Sequence, residues 1–205
     1  MSEPRPTAAA EATGSGLKTW RRLRLYFQDP RDAFGITSVE ERRNDAVLAF
    51  VLYFAVKLPV LLQRSAALGH KTPSGLDYLI AIGLALLIGV AMNLFWIGAG
   101  GAVVHLVVER VLGGRSSAAE AQRLLALCLT AQLVMVAELP TLAFGFREHG
   151  TFLAFTILRN VANVLSARSF YWGLRVLFGV SGRAALAFTV LPIVALLVLL
   201  LPYIL

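Results

Sequence analysis

The chain has 205 residues, 58% of them hydrophobic and only 15% charged, with a mean hydropathy of +0.72; soluble domains carry roughly 25% charge, so a water-soluble fold of this size is excluded. The net charge of +7 invites a nucleic-acid partner, but the basic residues collect at the ends of apolar runs, the pattern of membrane orientation and anionic-lipid contact and not of a patch that grips bases, and no nucleic acid is expected. The lone Cys128 lies inside an apolar run, which excludes an intrachain disulfide framework and CxxC redox or metal chemistry.

Residues 1–16, MSEPRPTAAAEATGSG, bury too little apolar surface to order and are expected to form a disordered tail. They lack the apolar stretch and cleavage site of a removable signal peptide. Residues 17–45 are expected to form a basic cytoplasmic arm. In LKTWRRLRLYFQ, Leu17, Trp20, Leu23 and Phe27 recur at helical spacing, while the basic residues lie mostly elsewhere round the helix. This predicts a short amphipathic helix with Trp20, Arg21, Arg22 and Arg24 as lipid contacts, each arginine adding about 1 kcal/mol against an anionic leaflet. A solvated helix docked on its own membrane domain fits the same pattern. Asp29-Pro30 and Gly35 punctuate the chain, and Ser38 to Asp45 reads as a charged turn.

Residues 46–205 are expected to cross the membrane about five times, making the protein an all-α polytopic bundle. The first span covers 46–63, with a bend at Pro59. Residues 76–112 are continuously apolar and would make one helix of about 55 Å. A hairpin there would have to turn at Gly98-Ala99-Gly100-Gly101, so the expectation is one crossing over 76–97, then a glycine-flexed extension carrying His105, Glu109 and Arg110. Gly113-Gly114 supplies the left-handed conformation that ends the helix. Ser117 and Glu120 form a capping box that opens a third span over 122–144. A fourth run over 151–180 is interrupted by Arg159, Arg168 and Arg175, and a fifth over 184–205 contains Pro192. With this threading residues 1–45 hold eight Lys and Arg, joined on their side by Arg110, Arg115, Arg123 and Arg183; the other side has Arg64, Lys71 and Arg147. The positive-inside rule then places the N-terminus in the cytoplasm and the C-terminus outside.

Several pieces occur in a telling order: Asp29-Pro30 with Phe34; His105-Leu106 followed by Arg110, Leu112, Gly113 and Gly114; Glu138-Leu139-Pro140; and Tyr171-Trp172 with Gly179 to Ala184. Over roughly residues 28–200 this layout resembles the Yip (Ypt/Rab-interacting) membrane family in its bacterial form. The resemblance implies a cytoplasmic arm, five spans and almost no C-terminal tail. In eukaryotic members it implies trafficking with prenylated Rab-type GTPases, a partner not carried over to this chain. The lysine-poor, Ala-, Arg- and Leu-rich composition is read as bacterial, which implies the inner (plasma) membrane.

Ionisable groups within a span cost about 2.5 to 3.5 kcal/mol each, so they mark places to look for function. Lys57, Glu138 and Arg159 are expected at one depth, as a structural ion-pair group with Lys57 snorkelling or as the lining of a polar cavity. His105 and Glu109, four apart on one face, are a possible polar pair; without a second histidine no metal site is expected. Asn93, Asn160 and Asn163 are expected to hold helices together. Arg168 and Arg175 share a face and are expected to meet lipid phosphates or to snorkel. Gly98, Gly100, Gly101, Gly113 and Gly114 are expected to permit close helix packing, within the chain or with a partner. No nucleophile elbow, phosphate loop or catalytic carboxylate pair occurs. The expected function is therefore a non-catalytic membrane scaffold or adaptor without cofactor. Its expected partners are membrane lipids and other integral membrane proteins or a second copy. The alternative is a transporter or channel for ions, small solutes or lipid, using Lys57, Glu138 and Arg159.

Overall fold

A computed structural model describes residues 18–68, 75–138, 149–191 and 194. The expectations for the 1–16 tail, the loop around Lys71, the Pro140 end of the third run and the Pro192 kink lie outside these residues. The described residues are all-helical, without strands. In chain order they form α1 (Thr19–Gln28), α2 (Pro30–Ile36), α3 (Val39–Leu68), α4 (Gly75–Arg110), α5 (Ala118–Cys128), a 3₁₀ segment (Leu129–Glu138), α6 (His149–Leu177) and α7 (Gly182–Leu191).

Each boundary near the arm has a local cause. Asp29 caps α2 by accepting from the Asp32 amide at 3.3 Å, and Pro30 sits in the first turn, where its missing N–H costs nothing. Residues 38–45 are not a turn: Ser38 Oγ accepts from the Glu41 amide at 3.2 Å while Glu41 accepts from the Ser38 amide at 2.9 Å. This reciprocal capping box starts α3 seven residues earlier than the first expected span. The helix then continues past Pro59 to Leu68. The apolar stretch 76–112 does not turn as a hairpin but forms one helix, α4, running unbroken to Arg110. Gly113 adopts φ +68° and the Gly114 amide reaches back to the Val108 carbonyl at 3.0 Å, the six-to-one bond of a Schellman end. The end of α6 repeats the device, with Gly179 at φ +67° and Val180 bonded to the Leu174 carbonyl. The two ends meet, because the Arg115 amide donates to the Phe178 carbonyl at 3.0 Å.

The third run departs from the expected single α-helix. The Ser117 cap is present, but after Cys128 the backbone tightens into a 3₁₀ segment. Two carbonyls at this joint accept side-chain hydroxyls: Thr130 bonds the Leu127 carbonyl at 2.7 Å and Ser166 of α6 bonds that of Cys128 at 3.1 Å. Such diversions compete with the helical ladder.

The core forms around α5, whose Ala121, Leu124 and Leu127 are buried among α3, α4 and α6. In α4, by contrast, Leu87 (68% exposed), Ile88, Phe95 and Trp96 (65%) face outward. Two stretches among the described residues, Leu86–Arg110 and Ala118–Val136, are long and apolar enough to cross a membrane. A core helix of a soluble protein would hide such side chains; an apolar helix left open on this scale suits lipid.

The arm face and its buried ion pair

The N-terminal arm is packed onto the bundle. Arg22, Leu23 and Tyr26 are the buried residues of α1. Of the expected apolar stripe, Leu23 is buried while Trp20 is 65% exposed. Phe34 of α2 is buried beside Tyr26, their ring centroids 5.1 Å apart, and α2 lies against α6. Arg22, expected at lipid headgroups, instead turns inward. Its Nε and Nη2 donate to the two carboxylate oxygens of Asp45, both at 2.9 Å, and its Nη1 donates to Glu41 at 3.2 Å. Asp45 is fully buried and the Arg22 side chain is 8% exposed. The Asp45 hydrogen bond raises the pKa of Arg22, so the guanidinium stays charged.

A second polar network lies beside it. Tyr26 donates to Thr37 Oγ1 at 3.0 Å, and Thr37 donates to the Ala33 carbonyl at 2.7 Å. Arg42 donates to the Thr37 carbonyl and reaches Glu120 of α5 at 3.5 Å, while Arg123 donates to the same Glu120 oxygen at 2.9 Å. Arg42 Nε and Glu120 Oε2 are buried without a hydrogen-bond partner among the described residues. An unmade buried bond costs about 1 to 3 kcal/mol, so this network is the weaker fastening and Arg22 with Asp45 is the stronger.

Burial pushes the Tyr26 phenol above the tyrosine value of 10.0. Since its folded pKa exceeds the unfolded one, this contribution is intact below about pH 10 and declines as pH rises toward the folded pKa. Tyr26→Phe is expected to remove from the ultraviolet titration a late-ionising step that coincides with unfolding of the arm.

The remaining expected residues are placed as follows. Arg21 and Trp20 are exposed on α1, and Arg24 pairs with Gln28 at 3.2 Å. Arg168 donates to the Gln28 carbonyl at 3.1 Å, tying α6 to the arm. The guanidinium of Arg175 lies 5.4 Å from the ring centre of Trp172, and that of Arg31 lies 5.5 Å from the same ring. His105 Nδ1 is 2.9 Å from Ser116 Oγ and 3.8 Å from Glu109. Among the described residues no three His, Cys, Asp or Glu side chains gather as a metal site. Lys57 bonds the Tyr53 hydroxyl one turn away and sits 4.7 Å from the centre of that ring; Arg159 is exposed. The Glu138 side chain lies outside the described residues, and with it the expected three-residue cluster. Asn93 bonds the Gly89 carbonyl of its own helix. Asn163 accepts from Gln132 at 3.2 Å, with Ser166 3.1 Å from the same amide nitrogen.

The glycines divide. A Cβ on Gly101 would lie 2.9 Å from the Gln122 amide nitrogen, and one on Gly114 would lie 2.7 Å from the Phe178 carbonyl, so backbones approach closely at both. Gly100 faces Leu125; Gly98 has nothing within 4 Å. Gly173 is a close-packing position that the small-residue run at 98–102 did not signal: a Cβ there would collide with Leu124.

An all-helical bundle with apolar side chains turned outward and a basic arm fastened to one end defines a helical membrane protein. The family model described as the Yip1 domain matches residues 25–203, and the chain belongs to that family. No curated protein and no solved structure matches it.

Proposed function

We propose that the chain is a non-catalytic scaffold or adaptor of a bacterial plasma membrane. In this reading it crosses the bilayer five times, with the arm in the cytoplasm and the C-terminal end outside. Its arm-end face holds other membrane proteins, a second copy or anionic lipid. The observation that carries this is the buried Arg22–Asp45 pair. It fixes α1 so that Trp20, Arg21 and Arg24 form a set surface instead of trailing on a loose tail. The asymmetric distribution of Lys and Arg supports the orientation.

Purification of the full chain in mild detergent is expected to recover a stable assembly, homomeric or mixed. A Trp20→Ala, Arg21→Gln, Arg24→Gln variant should lose it while keeping its fold. A strictly monomeric wild type with nothing attached would defeat the proposal. Transport through Lys57, Glu138 and Arg159 is the second reading, but Lys57 is already engaged by Tyr53 on its own helix. Solute flux in reconstituted vesicles that Lys57→Met and Glu138→Gln abolish would favour it.

A further inference from the structure

A groove of about 440 Å³ lies where α3, α4 and α5 meet. From α3 it is lined by Arg43, Ala46, Val47 and Phe50, the i, i+3, i+4, i+7 face of one helix. Arg42 reaches Glu120, and Gly101 abuts Gln122, so these parts of α3, α4 and α5 share one level. Arg43 and Arg123 therefore stand at the same end. Phe50 lies seven residues below Arg43, and Leu94 and Ile97 of α4 lie four to seven residues below Gly101. At 1.5 Å per residue the groove descends about 6 to 10 Å from a basic mouth to an apolar floor.

The charges at the mouth are unequal. Glu120 is shared by Arg42 and Arg123. Arg43 is exposed and forms no ion pair among the described residues. Val47 and Leu94 on the walls are more than half exposed. A cationic rim over an apolar slot, on a helix face turned toward lipid, is complementary to an amphiphile with an anionic head.

The geometry points to this groove as a binding site for one acidic phospholipid of the leaflet on the arm side. The phosphate sits at Arg43 and Arg123, and an acyl chain lies along Val47, Phe50 and Leu94. The inference rests on the reading of the arm-end face as a surface for membrane partners and names one of them.

The test uses the full chain, delipidated in detergent, then mixed with phosphatidylglycerol or phosphatidylcholine and read by native mass spectrometry. Wild type is expected to retain one phosphatidylglycerol in preference to phosphatidylcholine. Arg43→Gln should reduce that preference about fivefold, the scale of one arginine against an anionic headgroup. Val47→Trp, which fills the slot, should reduce retention of either lipid. Arg183→Gln, exposed and not among the groove's lining residues, should match wild type, and unchanged melting temperatures would show that the variants fold. Equal retention of both lipids by wild type, or an Arg43→Gln variant indistinguishable from it, would overturn the assignment. So would a disulfide-linked dimer of Val47→Cys, because a second copy would then fill the groove. An assembly that persists with the groove empty sinks the lipid site and leaves the scaffold reading standing; a monomer that keeps its phosphatidylglycerol does the reverse.

Discussion

Asp45→Ala is expected to destabilise the protein by about 3 to 5 kcal/mol, the range seen when one member of a buried ion pair is removed. The Arg22 guanidinium would keep its burial and lose the two 2.9 Å bonds that neutralise it. Glu41, at 3.2 Å, is the nearest substitute. It lies one turn nearer the start of α3, so part of the loss is recoverable and the lower end of the range applies. Thermal unfolding in detergent measures the loss directly. Limited proteolysis separates its two forms: if only the arm detaches, trypsin cuts at Arg24 or Arg31 before the bundle melts, and if the arm and bundle are one cooperative unit, both go together. Replacing both partners with apolar residues, Arg22→Met with Asp45→Leu, should restore much of the stability. Wild-type behaviour of Asp45→Ala would mean that the arm is held by its apolar contacts alone.

That pair also shows where sequence reasoning stops. Composition and apolar runs carried the all-helical membrane class, because they depend on summed hydrophobicity. The caps at Ser117 and Gly113 were legible because their bonds close within a few residues. The capping box at Ser38 and Glu41 was equally local and was missed because the charges that follow it resemble a turn; its Ser-x-x-Glu spacing is the signal that would have found it. Arg22 and Asp45 are 23 residues apart, and no local pattern distinguishes Arg22 from its exposed neighbour Arg21. Only docking, with Leu23 and Tyr26 turned inward, selects it. The 3₁₀ segment was hidden for a related reason. Leu129–Glu138 contains neither proline nor glycine, and the Ser166 hydroxyl at its joint comes from another helix, 38 residues away from Cys128.

Gly101→Val is expected to cost about 1 to 3 kcal/mol or more, since added bulk must force two backbones apart. At this position a Cβ meets the Gln122 amide nitrogen at 2.9 Å and its Cα at 3.0 Å, atoms that cannot rotate aside like the end of a side chain. Relief requires α4 and α5 to separate, which would loosen Leu124 and Leu127, buried on α5. Gly98→Ala, three residues earlier on the same helix, should do the opposite. Nothing lies within 4 Å of a Cβ there, and alanine is worth up to about 1 kcal/mol over glycine inside a helix. Melting temperatures of the two variants, followed by fluorescence-detected size exclusion, should therefore move in opposite directions. The contrast tests the packing geometry more sharply than either variant alone, because a general intolerance of the small-residue run would lower both. If Gly98→Ala fell as far as Gly101→Val, a surface left open in the monomer would be covered in the assembled protein, and the run at 98–102 would belong to an intermolecular contact.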